Sequence, residues 1–161
     1  VWTADSASTV GDSSFIVNGA TDNEPGDLLF VTPDYDPHDV CGCAYETGAI
    51  GVYYDSSNGE WAAFREDQDA MPANESFNVL VVPKNKAGSS VFVQTSTSSN
   101  TTGDFTLINS SLTNGKPDAL LQVTQNWNPG GKGGVYNPHT VGVFYNTSAK
   151  EWAFNLLIFS S

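Results

Sequence analysis

Asp34-Tyr35-Asp36 places two carboxylates one residue apart, with His38 and Asp39 close behind. Alternate residues of an extended segment project to one side, and Ca²⁺ takes six to eight oxygen ligands. Glu46, Asp67 and Asp69 from other loops would complete such a metal site. The EF-hand loop, with its glycine and terminal Glu, is absent, and a solvated acidic loop is the competing reading. Cys41 and Cys43 are the only cysteines. In an oxidising compartment they bridge each other in a tight ring or pair between chains. A soft-metal site with His38 would lack an evident fourth ligand. A second chemistry-bearing segment is Gln125-Asn126-Trp127-Asn128-Pro129-Gly130-Gly131, followed by Tyr136-Asn137-Pro138-His139. Trp127 and Tyr136 would stack on a sugar, with Asn126, Asn128 and His139 as polar contacts. The structural alternative has Asn side chains bracing turns and Trp127 filling the core beneath them. Trp61 and Trp152 fall on equivalent strands and read as core. No nucleophile elbow, phosphate-cradling glycine loop or paired His motif occurs, so no enzyme is expected.

The elements that carry these residues are written twice. Thr3 aligns with Thr95, Gly11-Asp12 with Gly103-Asp104, Leu28-Leu29 with Leu120-Leu121 and Val31-Thr32 with Val123-Thr124, at a constant offset of 92. After a one-residue slip, Ile50–Tyr54 matches Val141–Tyr145, and Glu60-Trp61-Ala62 matches Glu151-Trp152-Ala153. Self-similarity of this kind means one supersecondary unit used twice, here residues 1–92 and 93–161. Only the first copy is charged: it holds fifteen acids against three bases, whereas the second holds three of each. Much of the change replaces Asp by its neutral isostere: Asp22/Asn114, Asp34/Asn126, Asp36/Asn128 and Asp55/Asn146. Solubility tuning, cation binding by the acidic copy and contact between unlike faces are the three readings.

Short β-type runs separated by turn signals predict an all-β fold, two related sandwich or jelly-roll-like repeats of antiparallel strands. The predicted strands are 14–18, 27–32, 48–54, 60–64 and 77–82 in the first copy. In the second they are 90–95, 105–109, 119–124, 140–145 and 152–159. Asn18-Gly19, Asn58-Gly59 and Asn114-Gly115 are favoured hairpin dipeptides. The apolar run Val79–Val82 suggests a strand covered on both faces. Pairing Phe77-Asn78 with Phe154-Asn155 leaves the second copy without the acidic loop 63–76.

The Asn-Trp-Asn-Pro-Gly-Gly segment, Tyr136-Asn137-Pro138-His139 and Val141–Tyr145 resemble a family of secreted, often tandem β domains of unknown function. That resemblance implies fold and secretion more than activity; the first copy departs from it at Cys41, Cys43 and Glu46-Thr47. A net charge of −12 repels phosphate, which argues against nucleic acid and anionic membranes. No apolar run approaches the roughly 20 residues that span a bilayer, so no membrane insertion is expected. The start at Val1 reads as a leader removed or omitted. Sequons at Asn74, Asn100, Asn109 and Asn146 are candidate glycosylation sites. The expectation is a secreted or cell-surface, non-enzymatic structural or adhesive repeat protein. It would self-associate head to tail through apolar terminal strands into a filament or tube, with Ca²⁺ on the acidic copy. The alternative is a carbohydrate-binding module using the Trp127/Tyr136 loop; a hydrolase comes third.

Overall fold

The computed structural model describes residues 1–39, 44–87 and 90–157. The first copy contributes seven strands: β1 (Trp2–Thr3), β2 (Thr9–Val10), β3 (Ser13–Ile16), β4 (Leu28–Pro33), β5 (Ile50–Asp55), β6 (Glu60–Arg65) and β7 (Ser76–Val82). The second contributes β8 (Thr101–Thr102), β9 (Phe105–Ile108), β10 (Gln125–Asn126), β11 (Val141–Asn146) and β12 (Glu151–Leu156). Short 3₁₀ turns lie at Pro37–Asp39 and Pro129–Gly131. The fold is all-β, as expected.

In the first copy two sheets form a sandwich. One has the order β1-β7-β4; the other runs β5-β6-β3-β2 and is extended beyond β5 by β10. Alternation builds the core between them: Leu29 and Val31 of β4 meet Ile16, Val52, Tyr54 and Trp61 of the facing sheet. A second cluster gathers Ala4, Ala63, Met71 and Phe77. Val79 and Val81 pack on the core, while Leu80 is 56% exposed. The run 79–82 is therefore covered on one face, not on both.

Among the described residues the second copy repeats one of those sheets. Its order β11-β12-β9-β8 reproduces β5-β6-β3-β2 strand for strand. Register follows too: Ala62 pairs with Phe15 and Phe64 with Ser13, as Ala153 pairs with Leu107 and Asn155 with Phe105. Phe154-Asn155 thus occupies the place of Ala63-Phe64, not that of Phe77-Asn78. Among the described residues the second copy has no strand in the place of β7. The predicted strand 119–124 is consequently not one. Its counterpart β4 is held by β7 through six register pairs, and without that partner the segment forms no ladder. Leu120 is fully exposed. The predicted strand 90–95 is likewise not formed in its described residues, and residues 158–161 lie outside them. Of the three Asn-Gly dipeptides, Asn58-Gly59 closes a hairpin, between β5 and β6; the other two sit in longer connections.

The isosteric exchanges preserve geometry where they brace turns. Asp22 Oδ1 accepts from Asn18 N as Asn114 Oδ1 accepts from Ser110 N. Asp55 Oδ1 accepts from Ser57 N as Asn146 Oδ1 accepts from Ser148 N. The tryptophans obey the same rule: Trp61 Nε1 donates to Glu24 O at 3.0 Å, and Trp152 Nε1 to Lys116 O at 2.9 Å.

Candidate functional site at the joint between the repeats

The Asn-Trp-Asn loop of the second copy docks on the edge of the first. Gln125 and Asn126 pair in parallel with Gly51 and Val52, and Trp127 N donates to Val52 O at 2.9 Å. Asn128 then finishes the contact with its side chain. Its Oδ1 accepts from Tyr54 N at 2.9 Å, and its Nδ2 donates to Tyr54 O at 2.8 Å. One buried amide thus satisfies both backbone groups of Tyr54, as a strand residue would. Pro129 turns the chain away, and Gly130 and Gly131 follow at φ of 73°. In the first copy those two places are held by His38 and Asp39, at φ of 64° and 55°, where glycine would be less strained.

Aromatic rings fill the joint. Trp127 lies 6.3 Å from Tyr53 and 5.6 Å from Tyr136, and Tyr136 lies 6.0 Å from Phe64. A Cβ on Gly134 would collide with the Trp127 carbonyl, so glycine is required for that close passage. Asn137 completes the contact: its N–H donates to Glu66 Oε2 at 2.9 Å, and its side-chain amide donates to Gln125 Oε1. His139 N reaches Asn137 Oδ1 at 3.4 Å, and the His139 carbonyl accepts from Gln125 Nε2. Glu66 is 2% exposed, and burial pushes its carboxyl up to about 7, against the Asn137 N–H that favours the ionised form. The residues expected to hold a sugar, Asn126, Trp127, Asn128, Tyr136 and His139, therefore come together where the repeats meet. Tyr136 remains 42% exposed.

The first copy's own aromatic pair faces outward. Tyr35 and Tyr45 stack at 4.4 Å with 45% and 74% exposure, in the places of Trp127 and Tyr136.

The six acids expected to bind a cation divide into two groups. Asp67 takes the Arg65 guanidinium bidentately, at 3.0 and 2.7 Å, with Glu46 and Asp69 at 3.7 and 3.8 Å. Arg65 thus occupies the middle of that group, and its hydrogen bonds hold the Asp67 carboxyl below its usual range. Asp34 accepts from the Asn78 side chain at 3.1 Å; Asp36 precedes the 3₁₀ turn and Asp39 ends it. Among the described residues no group of three His, Cys, Asp or Glu side chains is close enough to hold a metal ion. Cys41 and Cys43 lie outside the described residues. Of the sequons, Asn74 and Asn109 are exposed, whereas Asn100 and Asn146 brace local turns.

Sequence reasoning missed the two buried acids whose carboxyls are raised, Glu66 and Glu75. Glu75 is 1% exposed; burial, reinforced by Glu46, pushes its carboxyl up to about 7. Neither of its carboxyl oxygens has a hydrogen-bond partner among the described residues. Glu66 carried one usable signal: it follows β6 directly, where the second copy has Leu157.

A family model described as "Domain of unknown function (DUF7452)" matches residues 1–81 and, overlapping, residues 51–156. The chain belongs to the DUF7452 family. Two overlapping matches accord with the tandem domain of unknown function expected above. No curated protein and no solved structure matches the chain.

Proposed function

We propose that this DUF7452 chain is a structural or adhesive building block of an extracellular or cell-surface assembly, joined repeat to repeat in head-to-tail order. The observation that carries this reading is the joint: a loop of one repeat completes the sheet edge of its neighbour. Heterologous contacts of this kind generate filaments or tubes when they do not close. Both ends needed for propagation are present, an outward Tyr35/Tyr45 pair on the first repeat and the edge strand β11 on the second. Strand addition at β11 replaces the apolar terminal strands as the contact. Ca²⁺ would act by neutralising the fifteen acids of the first copy where it approaches a neighbour.

The test is sedimentation and negative-stain imaging of the purified chain at low salt, with Ca²⁺ and then with chelator. Ordered polymers with Ca²⁺ support the reading. A monodisperse monomer at high concentration in both conditions removes self-assembly. The carbohydrate-binding alternative keeps one favourable observation, the partial exposure of Tyr136 beside Trp127. A glycan array that stays blank would count against it.

A further inference from the structure

The internal repeat shows what an edge such as that of β11 is built to receive. Gly51, Val52, Tyr53 and Tyr54 of β5 bear the docked loop; their counterparts in β11 are Gly142, Val143, Phe144 and Tyr145. The pairing of β11 with β12 repeats that of β5 with β6, Val143 opposite Phe154 as Val52 is opposite Ala63. The backbone groups of Val143 and Tyr145 therefore face outward, as those of Val52 and Tyr54 do. Among the described residues no strand pairs with that outer edge. Phe144, whose counterpart Tyr53 packs against Trp127 of the docked loop, is 36% exposed. The edge also continues an interface already formed in this molecule, one joint further along the same repeat direction.

We propose that the outer edge of β11 is a docking site for an Asn-Trp-Asn loop presented by a repeat of another molecule of this kind. The incoming Asn would bracket Tyr145 N and O, and the incoming Trp would lie against Phe144. This deepens the head-to-tail reading above and rests on it. It also assigns a specificity. The first repeat of this chain presents Asp34-Tyr35-Asp36, and an ionised carboxylate accepts hydrogen bonds but donates none. Asp36 in the place of Asn128 would meet Tyr145 N and be repelled by Tyr145 O. Without Ca²⁺ to neutralise its carboxylates the first repeat is thus a poor donor, while the second remains a competent acceptor.

The experiment installs the missing donor. The full chain carrying Asp34→Asn, Tyr35→Trp and Asp36→Asn is compared with the native chain by sedimentation velocity at neutral pH without Ca²⁺. The triple variant is expected to associate at least about tenfold more tightly, the scale of one regained hydrogen bond and one relieved charge. Adding Phe144→Asp should return it to monomer. Hydrogen exchange should show new protection at the Val143 and Tyr145 amides on association. A folded triple variant that stays as monomeric as the native chain overturns the proposal. So does association that survives Phe144→Asp. As a second measurement, a synthetic peptide of residues 122–139 is added to the native chain. Protection of Val143 and Tyr145, lost with the Asn128→Asp peptide, supports the site; no such protection also overturns it. The two readings fail separately. Ca²⁺-dependent native polymers indifferent to Phe144→Asp would sink the docking site but keep self-assembly. A monomeric native chain beside a polymerising triple variant would do the reverse.

Discussion

Asn128 commits both ends of its amide to Tyr54, so its replacements should rank by what they leave unpaired. Asn128→Ala strands a buried donor and a buried acceptor, a loss of about 2 kcal/mol. Asn128→Asp should cost more, about 3 kcal/mol, because a carboxylate is also forced against a carbonyl in a dry joint. Denaturant titration checks the order; an Asp variant as stable as the native chain would show that Asn128 is not holding the joint. Glu66 gives the joint a pH dependence. Its carboxyl titrates at about 7 in the fold against 4.5 ordinarily. The neutral form is favoured in the fold, so the stability it provides is complete below about pH 4.5 and is lost as pH rises through 7. A shift of that size is worth about 3 kcal/mol at most. Glu75 acts with the same sign, while Asp67, held low by Arg65, withdraws stability only in stronger acid. The melting temperature should therefore climb by several degrees between pH 8 and pH 5. In Glu66→Gln that climb should be smaller, and a profile superimposed on the native one would reject this account.

At the scale of elements, the two copies of one sheet differ in what covers them. The sheet β5-β6-β3-β2 has β4 and β7 across its core, with Trp61 2% exposed. Among the described residues the sheet β11-β12-β9-β8 has no laddered counterpart of β4 and β7, and in the segment 119–124 Leu120 is fully exposed and Val123 40% exposed. Regions with fewer buried contacts open more readily than the global transition. Amide exchange at Leu107 and Ala153 should therefore outrun that at Phe15 and Ala62, their partners by repeat. Equal protection would mean that the second sheet gains cover in solution. How much of this was legible in the sequence differs by element. Strands β5, β6, β11 and β12 were readable because their alternation and the Glu-Trp-Ala signature recur. The missing strand was not, because Phe154-Asn155 spells the same dipeptide as Phe77-Asn78 while continuing β12. The segment 119–124 carries the apolar residues of β4, and a strand forms only where a partner supplies the other half of its hydrogen bonds. The site was half legible. Asn126, Trp127, Asn128, Tyr136 and His139 were singled out together. Their occupant, the edge of β5, depends on tertiary placement that no local pattern records.

Across the whole molecule, the second repeat depends on the first. Among the described residues it forms one sheet of the sandwich, yet its loop adds a fifth strand to the first repeat's sheet and buries Asn128 there. Val31 N also donates to Thr124 Oγ1 at 3.3 Å, so the seam begins before β10. If the joint supplies the cooperativity, the native chain should melt in one calorimetric transition despite its lopsided core. Asn128→Asp should divide that transition in two. The earlier one should carry the enthalpy of the second repeat alone, roughly 40–50 kcal/mol at about 0.7 kcal/mol per residue. The later one should lie near the native midpoint, because β1 to β7 keep both of their sheets. Gly134→Ala should split the transition as well, since it pushes against the Trp127 carbonyl from the other side of the loop. A variant that melts earlier but still in a single step would show that the repeats are coupled elsewhere, along the seam between Val31 and Thr124. Two transitions in the native chain itself would mean that the second repeat folds independently, and that the joint links two units without stabilising either.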